Sequence, residues 1–535
     1  MNPLAADPRT PRPAPRRYLA AGVLAALTLF RPAPAGAQTL SSAEQARLTD
    51  WFRSAQRSAP GKWGVAIADQ QGQVLWGVQP DRPLVPASTA KVLTTGYART
   101  TVGATARRST RVMASGHLDP ATGSWNGPWA LELNGDPSFG KGAAGPTLDQ
   151  LAAQLRLRGI RKLSGRLEVR SADGPADAAY PATWSPRHRG RLFAPLIGAL
   201  TINENTVAFR VRPGRRVGTR ARISWERPRG VSSLVRVKAT TVAGRRSRLH
   251  VARSSRGGWI VSGTIGIRAR TRYLAVAADD PRAVLAAAWA SALTRAGIRW
   301  TWRGRSNPAD TAAVPEVLAL VQSTTFDSLA MDINKRSNNL GAELLLRWAG
   351  GRYEAAQQLT HHVQLVSGHE EVRMVDGSGL SYDDRVSPST FTAYLARFPA
   401  TAGGRNFAQL LPAAGSGTLR GLQRGLPARG VVRAKTGTLR RVSTIVGYLG
   451  RPDGVLTISL MYNGPRPNSA RRAQWKLFRQ LGANGVVVPE DLGQRDPIQL
   501  GADANPIDPV AETMQLVRAL SQGMLSPDWE AGLRH

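Results

Sequence analysis

Three short runs carry side chains whose chemistry could be combined: Ser88-Thr89-Ala90-Lys91, Ser337-Asn338-Asn339 and Lys435-Thr436-Gly437-Thr438. A serine and a lysine three positions apart share one face of a helix, a turn from each other. A lysine amine lowered from its usual pKa of about 10.4 by burial and a second cation could take the serine's proton and make it a nucleophile. The amide donors and dipole at a helix start favour negative charge developing beside such a serine. The plainer alternative is a cap, since Ser and Asn at helix starts commonly accept from the first free N–H groups. Lys435-Thr436-Gly437 is the most specific run. Without a side chain at 437 a substrate backbone can approach the strand edge closely. Thr436 and Thr438 then offer hydroxyls, and Lys435 a positive charge, to a carboxylate.

Lysine is scarce elsewhere. Of 72 basic residues eight are Lys and 64 are Arg. Arginine does not give up its proton in a protein, whereas a lysine amine can be tuned into a base. Two of the eight lysines fall inside the runs above, which favours chemistry over chance. The formal charge of +36 would ordinarily suggest a nucleic-acid partner, but the arginines are spread along most of the chain and the N-terminus argues for export.

Arg9, Arg12, Arg16 and Arg17 precede an apolar run from Tyr18 to Phe30, followed by small residues ending Ala35-Gly36-Ala37. That layout predicts a signal peptide over residues 1–37, cleaved near Ala37, and an extracytoplasmic protein of the periplasm or cell envelope. The run is too short to span a bilayer comfortably. Arg16-Arg17 lacks the rest of a twin-arginine motif, so the export route stays open. The chain has no cysteine, which excludes disulfide staples, a Cys nucleophile and Cys-based metal sites. His361-His362, the one close histidine pair, lacks metal-ligand spacing and reads as surface or helix residues, so no metal and no cofactor is expected.

The elements that must position these residues follow from periodicity. Ser41 to Gln56 reads as a helix with Leu48, Trp51 and Phe52 on one face. Trp63 to Ala68 and Val74 to Val78 read as strands around a turn at Gln71-Gly72. Pro86-Ala87-Ser88 opens a second helix that buries Val92, Leu93 and Tyr97. From about Arg111 to Ala312 short strand-like runs alternate with Gly and Pro, and residues 185–256 hold eighteen Arg or Lys against two acids, Glu204 and Glu226. From Pro315 helical periodicity is expected to return, through Leu340 to Trp348 and on to His362. Gly377-Ser378-Gly379 marks a tight turn. Val431 to Ala434 and Ser443 to Leu449 read as paired strands with the Lys-Thr-Gly segment between them, and a helix bearing Trp475, Phe478 and Leu481 follows. Residues 485–535 form a tail with eight acids and three basic residues, with one helix expected from Pro509 to Leu520.

Taken together and in this order, the three runs match the S-x-x-K, S-x-N and K-T-G signature of penicillin-interacting acyl-serine enzymes. From about residue 40 to 484 the chain resembles class C low-molecular-mass penicillin-binding proteins, the D-alanyl-D-alanine carboxypeptidase/endopeptidase family. Segments that carry the likeness are Asn134-Gly135-Asp136-Pro137, Leu200 to Asn205, Asp376-Gly377-Ser378-Gly379-Leu380-Ser381 and Ala434 to Leu439. Ser88 and Ser337 lie 249 positions apart. Class A β-lactamases keep these motifs much closer, whereas the resembled family carries a large insertion there.

The resemblance implies an α/β (α+β) fold: a serine β-lactamase/transpeptidase-like domain, an antiparallel sheet flanked by helices, interrupted by a β-rich two-domain insertion. The expected division is 38–110 with 313–484 for the catalytic domain, 111–184 with 257–312 for one inserted domain, 185–256 for a basic second one, and 485–535 for an extension of unknown role. It implies Ser88 as acylated nucleophile, Lys91 as general base, and Ser337 as proton relay. Asn339 would orient Lys91 and bind peptide. Lys435, Thr436 and Thr438 would hold the terminal carboxylate, Gly437 would let the substrate backbone approach the strand, and the N–H groups of Ser88 and Thr438 would form an oxyanion hole. The expected partners are peptidoglycan stem peptides and β-lactam antibiotics, with anionic envelope polymers on the basic insert and no nucleic acid. Two other readings stand beside it: an acyl-serine hydrolase of different specificity, such as a β-lactamase or esterase, and a wall-binding module of degenerate activity. Arg440-Arg441 and the basic insert depart from the family pattern.

Overall fold

The computed structural model describes residues 38–141, 145–172, 178–301, 315–351 and 353–493. The expected signal peptide and the helix expected from Pro509 to Leu520 lie outside them. Helix α1 (Ser42–Ser58) starts at a capping box, in which Ser41 Oγ accepts from the Glu44 N–H and the Glu44 carboxylate accepts from the Ser41 N–H, satisfying two free donors. Strands β1 (Lys62–Ala68) and β2 (Val74–Val78) form a hairpin, and a 3-10 turn over Ala87–Thr89 leads into α2 (Ala90–Val102).

The long middle segment runs β3 (Ser109–Ala114), β4 (His117–Asp119), β5 (Ser124–Asn126), β6 (Trp129–Leu133), α3 (Leu148–Leu157) and β7 (Lys162–Ser171), then β8 (Thr206–Arg212), β9 (Arg222–Arg227), β10 (Val235–Val237), β11 (Thr240–Val242), β12 (Ser247–Arg253), β13 (Trp259–Gly266) and β14 (Arg272–Ala277), and ends with α4 (Pro281–Arg295), β15 (Arg299–Thr301) and β16 (Glu316–Gln322). Helices α5 (Phe326–Arg336), α6 (Asn339–Gly350), α7 (Ala355–Ser367) and α8 (Pro388–Arg397) follow. Strands β17 (Val432–Leu439), β18 (Val442–Arg451) and β19 (Gly454–Asn463) and helix α9 (Pro467–Leu481) complete the order.

One five-stranded antiparallel sheet, β17-β18-β19-β1-β2, joins the first and last parts of the chain. Its central strands β18 and β19 are buried along almost their whole length because both faces are covered. Alternation sends Ile445 and Leu460 toward α1 and α9, and Val446 and Met461 toward the layer of α2, α5, α6, α7 and α8, the two-residue period of a strand. This is the expected α/β arrangement. The middle segment builds sheets of seven, four and three strands, with one apolar cluster running from Val112 through Phe209 and Trp259 to Val321.

Two local expectations need correction. Residues 316–322 are not helical but form β16, antiparallel to β3, so the insert's seven-stranded sheet closes after the residues expected to end the insert. A short apolar run such as Val317 to Val321 has no period that separates strand from helix. The Lys-Thr-Gly segment is not a connection between strands; it lies inside β17, with Lys435 opposite Val446 and Gly437 opposite Thr444. Past residue 484 the chain still adds to this layer, as the Val486 and Val488 N–H groups donate to Gly450 O and Gly430 O.

Candidate active site

Ser88 sits in the 3-10 turn ahead of α2, with Ala87 before it in the left-handed region at φ 50. A non-glycine residue there is uncommon and persists only where its surroundings determine it. The surroundings press close: a Cβ on Gly379 would meet the Ala87 backbone O at 1.8 Å, and one on Gly437 would meet the Thr444 side chain at Oγ1 at 2.2 Å and the backbone atoms Pro86 O at 2.6 Å and Ser88 N at 3.0 Å. The close approach that requires glycine at 437 is therefore that of the Ser88 turn itself. The capping alternative does not hold for Ser88. The N-cap of α2 is Thr89, which makes no side-chain cap and donates instead to Pro86 O at 2.6 Å.

Lys91, one turn along and fully buried, places its Nζ 3.0 Å from Ser88 Oγ, 2.7 Å from Asn339 Oδ1 and 2.5 Å from Ser378 O. The carbonyl of Ser378 can only accept. Asn339 presents oxygen to Lys91 because its amide nitrogen donates to Phe193 O at 2.8 Å. A neutral amine has two N–H donors and one lone pair. With both donors taken by these carbonyls, the lone pair falls to the Ser88 hydroxyl. Burial pushes Lys91 down to about 8, while Asp376, Glu343 and Asp384 pull it back up. An amine so placed exchanges its proton near neutral pH, as a general base must.

Ser337 and Lys435 form the matching pair. Ser337 ends α5 in the left-handed region (φ 58, ψ 44), and its Oγ accepts from Lys435 Nζ at 2.9 Å; the same amine donates to Thr436 O at 2.7 Å. Burial, and then the charge of Lys91, hold Lys435 well below the usual range. Asn338 caps α6 through Oδ1 to the Gly341 N–H at 3.1 Å, so the polar run does cap a helix, but through its middle residue. Thr436 is half-buried and Thr438 is exposed at the end of the run, where the Arg471 guanidinium donates to Thr438 Oγ1 at 3.1 Å.

Beneath Lys91 lies a layer of buried carboxylates that sequence reasoning did not assign. Asp376 takes four donors: the Ser378 and Gly379 N–H groups at 3.0 and 2.6 Å, the Ser381 N–H at 2.7 Å, and Trp184 Nε1 at 3.0 Å. Glu343 Oε1 accepts from the Gly377 and Ser378 N–H groups at 3.1 and 2.9 Å. These bonds fix the Gly377-Ser378-Gly379 turn and aim the Ser378 carbonyl at Lys91. Burial first, and the Asp376 charge second, push Glu343 up to about 7 and Asp384 well above the usual carboxylate range.

The geometry thus brings Ser88, Lys91 and Asn339 into one hydrogen-bonded group and Ser337 with Lys435 into a second, close enough for the charge of Lys91 to act on Lys435, with Thr436 to Thr438 along the same strand as Lys435. A profile of the D-Ala-D-Ala carboxypeptidase 3 (S13) family matches residues 53–483. The chain belongs to this family. S13 enzymes are serine peptidases. A D-alanyl-D-alanine carboxypeptidase of an Actinomadura species is 28% identical over 431 residues, 75% of this chain and 77% of the relative. A carboxypeptidase of Mycobacterium tuberculosis is 28% identical over 435 residues, 76% of this chain and 77% of the relative. The crystal structure of penicillin binding protein 4 from Haemophilus influenzae superposes with a TM-score of 0.64 at 21% identity, covering 80% of this chain and 98% of that one, which shows a shared fold.

Several residues of this S13 site escaped the sequence reading. Phe193 and Trp184 come from the insert and reach Asn339 and Asp376 across 146 and 192 positions; no local pattern signals such a contact. Asp376 and Ser378 did stand in a noted family-like segment, though without a role. His362 is a helix residue as read; it is half-buried, its Nε2 lies 3.0 Å from the Tyr394 hydroxyl, and burial pushes its pKa down to about 4.

Proposed function

We propose that the chain is an exported D,D-peptidase of peptidoglycan that works through an acyl-enzyme on Ser88. The observation that carries this is the Lys91 amine, buried, 3.0 Å from Ser88 Oγ, with both of its other partners obligate acceptors. Lys91 takes the hydroxyl proton as Ser88 Oγ attacks the carbonyl of the penultimate D-alanine. The N–H groups of Ser88 and Thr438 hold the oxyanion, a fixed-dipole arrangement worth about 10²–10³ in rate per donor. The C–N bond breaks as the leaving amine takes a proton from the Ser337 hydroxyl, which Lys435 reprotonates while Lys435 recovers the proton that Lys91 took from Ser88. Water then attacks the ester, giving its proton to Lys91, which returns it to Ser88 Oγ as the acyl–oxygen bond breaks. Thr436, Thr438 and Lys435 face the substrate carboxylate, and Arg471 adds a second cation there. The same geometry accepts a D-Ala-D-Ala terminus or a D,D-crosslink, and β-lactams acylate Ser88 in place of substrate.

Residues 1–37 are read as the export signal. The arginines of residues 185–256 are read as a surface for anionic envelope polymers. Arg236, Arg253 and Arg256 line a cleft of about 1160 Å³ in the insert, and such attraction weakens as salt is added. The decisive experiment is labelling of the mature chain with a fluorescent penicillin. The wild type acquires one covalent adduct and Ser88→Ala acquires none; undiminished labelling of that variant overturns the assignment. Rapid release of the label would instead mark a β-lactamase.

A further inference from the structure

The two-residue joint between α5 and α6 carries Ser337 and leads directly into Asn339, the first residue of α6, and a side chain of the insert grips it. Glu204 Oε1 accepts from Asn338 Nδ2 at 2.9 Å, pairs with Arg336 and lies 2.5 Å from Lys141 Nζ. It thus holds the residues on both sides of Ser337. Lys141 and Arg336 are tied together a second time through Asp332, whose Oδ2 lies 3.2 and 2.5 Å from them. The Asn338 amide is used at both ends, with Oδ1 capping α6 and Nδ2 on Glu204.

The backbone that presents Glu204 is itself built for the purpose. Asn203, Glu204 and Asn205 have φ values of 49, 57 and 50, three consecutive non-glycine residues in the left-handed region, which Asn tolerates and Glu ordinarily avoids. The turn is tied down on both sides. The Asn203 N–H donates to Phe139 O at 2.8 Å and its side chain to Thr206 O at 2.8 Å, while Asn205 Nδ2 donates to Leu196 O at 2.9 Å. Glu204 is also one of only two acids among residues 185–256. Burial would raise its pKa, but Arg336 and Lys141 outweigh that and hold it low, so the grip is ionised throughout the working range.

We propose that Glu204 is a positioning residue for catalysis: through Asn338 it fixes the α5–α6 joint so that Ser337 meets Lys435 and Asn339 meets Lys91. The insert is then part of the machinery that aligns the site. This rests on the proposed roles of Ser88, Lys91, Ser337 and Lys435.

The test is the acylation kinetics of the full mature chain with a fluorescent penicillin. Glu204→Ala is expected to lower the limiting acylation rate about 10–100-fold, the cost of a small misplacement of reacting groups, with half-saturation changed less than about threefold. Asn338→Ser, which keeps a helix cap but loses the amide N–H, should lose a similar factor. The double variant should lose no more than either single one, since coupled residues are not additive. A wild-type limiting rate in Glu204→Ala, or losses that multiply in the double variant, overturn the proposal. If Glu204→Ala does not fold, Glu204→Gln completes the same cycle. Ser88→Ala separates the two levels: if it still labels, the site assignment fails, and if it does not while Glu204→Ala reacts normally, only the positioning role fails.

Discussion

The chain places positive charge in two regions, and the two use it in opposite ways. In residues 185–256 there are eighteen Arg and Lys side chains, and all but Arg227 are exposed. Beside the two serines of the site there are two, Lys91 and Lys435, and both are fully buried. Water and salt screen the first set, so its members act only collectively and over a short range. Burial strips the second set of solvent and moves both amines toward neutrality, the condition under which a lysine could accept a proton. Proton chemistry here follows from desolvation and hydrogen-bond geometry, and the number of cations contributes little to it.

That contrast can be broken most forcefully at Lys91. Lys91→Arg keeps the charge and removes the proton acceptor, so the acylation rate should fall at least about 10³-fold, within the span of a lost general base. A variant of near-normal rate, measured by stopped flow with a chromogenic cephalosporin, would mean that charge alone suffices. Next comes Arg471. Arg471→Gln should lower kcat/KM on a peptidyl-D-alanyl-D-alanine about 10-fold, the scale of a charge-assisted hydrogen bond, and leave the C-terminal amide analogue almost untouched. Equal losses on both substrates would reduce Arg471 to a support for α9.

The buried carboxylates give a pH signature. Glu343 titrates near 7 in the folded chain against 4.5 when free, so between those values the folded state holds a proton that the unfolded state releases. Stability should therefore fall as pH rises from about 4.5 to about 7. Glu343→Gln should flatten that slope in thermal melts across the window, and an unchanged slope would remove Glu343 as its source. The smallest effect belongs to the exposed set. Arg245→Ser with Arg246→Ser should leave acylation within about twofold of wild type and weaken salt-sensitive retention on isolated anionic cell walls. A large drop in acylation would contradict the division drawn above.

Much of the site was legible because its reactive residues sit in short local patterns. Ser88 and Lys91 share a helical turn, Ser337 to Asn339 span one joint, and Lys435 to Thr438 occupy one strand. The periodicity of Val92, Leu93 and Tyr97, and of the first hairpin, was equally local. What stayed hidden depends on long-range assembly. Polar side chains in β17 break the apolar alternation that marks a strand, so Lys435 to Gly437 read as a connection. Gly437 makes room for the backbone of Pro86 and Ser88, far earlier in the chain, and Glu204 reaches Asn338 across 134 positions. Even so, one of only two acids within a strongly basic segment was a visible anomaly.

The central claim is that Lys91, desolvated and with its other hydrogen bonds committed, is the base for Ser88. The limiting acylation rate of the mature wild-type chain, measured from pH 5.5 to 9.5 with a neutral-to-charge-invariant β-lactam, tests this directly. A single limb rising through a midpoint of about 8 is the predicted result. A flat profile, or a rate that falls across that range, would contradict it.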